Sequence, residues 1–138
     1  MTYRLKNIFA LSIPLFIAHG LEEYVTGFYA IDSHVEFVFG WLAPTIPLQT
    51  SFLIFQLIFW TALVTAYFII RSGRLVMPLL VILGLLYMYE IHHLIKTFQA
   101  GGYYPGLITA IALYCLGVLY WREFLASRLK WRAASKNI

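Results

Sequence analysis

The chain has 138 residues, of which 62% are hydrophobic, 18% aromatic and only 12% charged. A soluble domain is typically about half apolar and about a quarter charged, so a soluble core of this size would leave apolar surface facing water. The composition therefore excludes an ordinary soluble enzyme. The net charge of +4 sits beside apolar runs, which sets membrane orientation and not a nucleic-acid surface, and the single Cys115 excludes an internal disulfide.

A membrane-crossing helix needs about 20 mostly apolar residues. The first span is predicted over residues 8–31, interrupted by the polar stretch "HGLEE". Its basic start, short apolar run and Ala18-x-Gly20 resemble a secretory signal peptide, but "YVTGFYAI" resumes the apolar pattern at once, so it is read as a retained span. A long connection follows, about residues 32–50. It carries "DSHVEF", with His34 and Glu36, then "FVFGWLAPTIPL", too short to cross and predicted to be interfacial or re-entrant. His34 and Glu36 read as solvated loop residues, with a supporting or lid role as the sharper alternative.

The second span covers residues 51–70 and the third 75–95, joined by the tight link Arg71-Ser72-Gly73-Arg74. The fourth covers residues 104–121, with Pro105 in its first turn, and a basic tail runs over 122–138. With both termini cytoplasmic, every Lys and Arg except Lys96 lies inside. The expected architecture is an all-α, four-helix transmembrane bundle forming a single domain, in a bacterial inner membrane if the cell is bacterial.

Ionisable groups within these spans mark a site, because an acidic residue at mid-membrane costs about 2.5–3.5 kcal/mol on insertion scales. At about 100° per residue, Glu22 lies about 60° to one side of His19 and Glu23 about 40° to the other, so all three share one helix face. Ser12 and Thr26, one heptad before and after His19, extend that face, which is predicted to point into the bundle. The third span answers with Glu90 and His93 at i, i+3, while His92 points roughly away. Gln56 of the second span is a candidate for the same lining.

Carboxylates and imidazoles together suit Zn, Fe or Mn, and Glu-x-x-His recurs in helical bundles that hold such ions. His19, Glu22, Glu90 and His93 are the candidate metal ligands. Glu23 is a candidate fifth ligand or general base, and Tyr103 and Tyr104 are candidates to orient a lipid-like, apolar substrate. The competing readings are a metal-free polar network joining helices, a proton or cation path, and haem held by two histidines.

The stretch His19-Gly20-Leu21-Glu22-Glu23, a later histidine (His92 or His93) and Tyr103-Tyr104-Pro105-Gly106 resemble, in this order, the motifs of the HXXEE domain family. The resemblance implies an integral membrane protein and points to these residues as a site; it implies no activity or substrate.

Overall fold

In a computed structural model of the chain, residues 3–73 and 76–135 are described, with side chains through residue 128. Those residues form seven helices joined by turns: α1 Tyr3–Val25, α2 Phe28–Ile31, α3 Ser33–Phe39, α4 Leu48–Arg71, α5 Val76–Tyr89, α6 Ile91–Ala100 and α7 Leu107–Ser135. Arg74 of the tight link and Lys136 of the tail lie outside the described residues, as do the side chains of Lys130, Trp131 and Arg132. Among the described residues, four helical segments are long and apolar enough to cross a membrane: Tyr3–Val25, Leu48–Arg71, Val76–Ala100 and Leu107–Arg128.

The boundaries differ from the sequence expectation in ways that matter for the site. The first span ends at Val25, not at residue 31, because Gly27 takes a left-handed conformation (φ 79°) and redirects the chain into α2. Thr26 thus leaves the polar face: it is exposed, and its hydroxyl donates back to the Glu22 carbonyl. The third span is broken at Glu90, where the His93 amide reaches only three residues back, to the Glu90 carbonyl at 3.2 Å. The fourth helix starts at Leu107, so Pro105 belongs to the preceding turn and not to the first helical turn. The long connection is not a plain loop: it holds α2, α3 and a 3-10 turn, Gly40–Leu42.

The helices pack through alternating three- and four-residue steps, the spacing of a shallow left-handed crossing. On α1 the buried positions are Leu5, Phe9, Ser12, Phe16, His19, Gly20 and Glu23. On α7 they include Ala110, Leu113, Tyr120 and Phe124. α1 packs most extensively against α7 and then α4, and α5 and α6 close on α7. Small residues let α5 and α7 approach: a Cβ on Gly84 would sit 2.6 Å from Trp121, and one on Gly117 2.7 Å from Tyr87 Cβ. Trp121 packs on α5 and donates its indole N–H to the Gly84 carbonyl at 3.1 Å.

Near the chain termini the interior is apolar and aromatic, built from Leu5, Phe9, Leu63, Ile70, Leu80, Tyr120 and Phe124. The outward faces are apolar too, with Leu11, Ile58, Phe68 and Ile108 all more than half exposed, which suits hydrocarbon and not water. The polar side chains gather at the other end.

Candidate metal centre in the bundle

α1 presents His19 and Glu23 one turn apart, and the α5–α6 junction presents Glu90 and His93. All four are buried, His93 completely. His19 Nε2 lies 3.0 Å from Glu90 Oε2 and 3.5 Å from Glu23 Oε1. His93 Nε2 lies 3.3 Å from Glu23 Oε1 and 3.8 Å from Glu90 Oε2. The two imidazoles meet edge to face, 4.8 Å apart.

The outer nitrogen of each ring fixes what the inner one offers. His93 Nδ1 is 2.8 Å from the Pro105 carbonyl, which can only accept, so Nδ1 carries the proton. Nε2 of a neutral His93 then offers a lone pair, and this buried atom has no hydrogen-bond partner. His19 Nδ1 is 2.9 Å from Thr109 Oγ1. Thr109 gives its one hydroxyl proton to Glu22 Oε2, 2.5 Å away, so its oxygen accepts from His19 Nδ1–H. A neutral His19 likewise offers an Nε2 lone pair, here to carboxylate oxygens 3.0 and 3.5 Å away. Two imidazole lone pairs therefore face two carboxylates, acceptors against acceptors. Such a group holds together only around protons or a cation.

The His–Glu separations are those of neighbouring ligands around a small ion. Ligand atoms around a tetrahedral centre with bonds of about 2.0–2.1 Å stand about 3.3–3.4 Å apart. The four separations above span 3.0–3.8 Å. His19, Glu90 and His93 each offer a ligand atom within 4.8 Å of the other two. Glu23 lies outside that set of three; its Oε1 approaches both histidines, and its Oε2 accepts from the Gln56 amide at 2.8 Å.

Glu22 does not reach this cluster. It takes the amides of Ile108 (3.1 Å) and Thr109 (2.8 Å) and so caps α7 from the neighbouring helix. Its tie to the cluster runs through Thr109 to His19. Tyr103 donates to the same carboxylate at 2.8 Å. Tyr104 donates to Asp32 at 2.6 Å. Both tyrosine hydroxyls thus face carboxylates, outside the cavity lining described below. Burial, then the hydrogen bond to Asp32 and its charge, raise the Tyr104 pKa above the ordinary phenol value, which keeps it a donor. Burial and the bond to Glu22 raise that of Tyr103. At Asp32 burial works against the carboxylate, but the Tyr104 hydroxyl and the His34 amide and ring outweigh it and lower the pKa.

Glycines bring the parts together. Gly106 has φ 85°, and a Cβ there would lie 2.7 Å from His93 Cε1 and 2.9 Å from His19 Cε1. A Cβ on Gly20 would lie 2.5 Å from Gln56 Oε1. No other residue type fits either place without moving a side chain of the cluster. Thr109 and Asp32 were missed by sequence reasoning. Thr109, in the first turn of α7, and Asp32, ahead of "SHVEF", were the available signals, as polar residues at helix starts.

The cluster forms one wall of a cavity of about 260 Å³, otherwise lined by aromatic and aliphatic side chains including Phe16, Phe28, Phe52, Phe55, Phe59 and Leu86. Residues 10–121 match the model of a family described as a protein of unknown function with HXXEE motif. The chain belongs to the HXXEE family. No curated protein matches it, and no solved structure does. Within the HXXEE motif of this chain, the histidine and the second glutamate enter the cluster, and the first glutamate braces the histidine from behind. Of the histidine doublet, His93 enters the cluster and His92 lies outside it.

Proposed function

We propose that the chain is a membrane-embedded, metal-dependent enzyme acting on a lipid-like substrate. His19, Glu23, Glu90 and His93 would hold a divalent Zn, Fe or Mn ion. The single observation behind this reading is the convergence of two Nε2 lone pairs and two carboxylates in a buried pocket, with both Nδ1 atoms already donating elsewhere. Such an ion supplies Lewis acidity and activates water. The chain's own groups do the rest. Thr109 and the Pro105 carbonyl fix the ring orientations. Gln56 holds Glu23 in place by donating to its Oε2. The aromatic cavity takes an apolar chain and excludes bulk water.

The membrane setting follows from charge. Both termini lie in the cytoplasm, which puts the cluster in the outer half of a cytoplasmic membrane. Exposed Phe37, Val38 and Trp41 seat the α3 region in the headgroup layer above it. A through-path for ions is disfavoured, since Phe16 and Leu113 fill the interior towards the termini and Ser12 is bonded to Tyr87 there.

The test is elemental analysis of detergent-purified protein beside Glu90→Gln and His93→Ala variants of unchanged helicity. Near-stoichiometric metal in the wild type, lost in both variants, is the expected result, and zinc, which has no redox chemistry, would exclude oxidation. A wild type that stays metal-free after reconstitution with each ion overturns the reading and leaves a proton-bridged network.

A further inference from the structure

A second histidine–carboxylate group stands outside the cluster. Asp32, His34 and His92 each offer a ligand atom within 4.8 Å of the other two. Asp32 is the N-cap of α3. Its Oδ1 accepts from the His34 amide at 2.8 Å and lies 3.0 Å from His34 Nδ1, while Oδ2 accepts from Tyr104. Capping therefore accounts for Asp32, and an Asp–His contact accounts for His34. Neither accounts for His92.

His92 Nδ1 is 3.0 Å from the Tyr89 carbonyl, so that nitrogen carries the proton and Nε2 the lone pair. His92 Nε2 is buried and has no hydrogen-bond partner. The arrangement repeats the one seen at His93: the outer nitrogen donates to a carbonyl, and the inner one is left as an unmatched acceptor. His34 offers Nδ1 on the same side, 3.0 Å from Asp32 Oδ1, a separation at which the two atoms could share one cation while Nε2 carries the proton. The two rings are 5.8 Å apart. The His34 side chain is half exposed, so the group is open on one side. His34 and His92 line the same cavity as the inner cluster.

We propose that Asp32, His34 and His92 form a second metal site at the mouth of the cavity, for a borderline divalent cation such as Zn²⁺. The donor set of two imidazoles and one carboxylate suits that class of ion, and an open side leaves room for water as a further ligand. The inference extends the metal reading of the inner cluster but stands on different residues.

The experiment is calorimetric titration of the chelator-stripped, full-length protein in detergent with Zn²⁺. The wild type is compared with His34→Ala, Asp32→Asn and His93→Ala. Asparagine also caps helices, so Asp32→Asn removes the charge and keeps the α3 cap. The expected result is two equivalents in the wild type, with His34→Ala and Asp32→Asn each weakening one of them at least tenfold. His93→Ala should remove the other. Two equivalents of unchanged affinity in His34→Ala and Asp32→Asn overturn the proposal, as does a single equivalent that only His93→Ala removes; that last outcome leaves the inner site standing. A single equivalent lost only in His34→Ala and Asp32→Asn supports the outer site and overturns the inner one.

Discussion

The two ends of the bundle are built on the same helices with the same packing steps, yet they solve opposite problems. Towards the termini, Leu5, Phe9, Leu80 and Phe124 fill the interior with apolar contacts that need nothing else. At the other end the same α1 stripe continues as His19 and Glu23, and the interior holds unmatched acceptors. One end carries the fold, and the other carries a requirement for a cation or protons. A site of this kind is affordable only because the apolar end holds the helices together without it.

That division can be broken at several points. The largest effect is expected from His93→Ala, which should abolish metal retention at the inner cluster while leaving helical content by circular dichroism close to wild type. If the helices melt instead, the polar end supports the fold as well. Next comes Gly106→Ala. A left-handed backbone costs a non-glycine residue about 1–2 kcal/mol, and the added Cβ displaces both imidazoles, so metal affinity should fall at least about a hundredfold. Metal affinity unchanged in this variant would mean that the two rings do not act together.

Glu22→Gln is expected to be milder. The amide still accepts from the α7 backbone, but it no longer orients Thr109 as a charged partner, and affinity should drop about tenfold. Glu22→Gln losing as much as a direct ligand would promote Glu22 to that role. The smallest effect concerns acid. Asp32 has a lowered pKa in the folded chain, so its stabilising contribution is present above its unfolded value and is lost as pH falls through the lower folded one. Thermal stability of the metal-free protein should decline on acidification below about pH 4, and Asp32→Asn should flatten that part of the curve.

Much of this was legible from residue order. Apolar run length gave the spans, and the positions of His19, Glu22, Glu90 and His93 within them singled those residues out as ligands, with Glu23 as a fifth ligand or base. Periodicity could not separate Glu22 from Glu23, since both flank His19 within one arc. Their difference arises from neighbours: Gln56 faces Glu23, and the first turn of α7 faces Glu22. Spacing along one helix carries no information about the register of the next. Thr109, Asp32 and the Pro105 carbonyl were invisible for the same reason. The break at Glu90 was hidden because the run from 76 to 95 stays apolar on both sides of it.

That break has a mechanical consequence. His19 and Glu23 ride on one uninterrupted helix, so their relative position is set by α1 alone. Glu90 and His93 stand on either side of a change of pitch, and any bend between α5 and α6 alters their spacing. The cluster is thus a fixed jaw facing an adjustable one. The adjustable jaw shares a wall with the cavity, so a molecule seated there would press on the pair that sets this spacing.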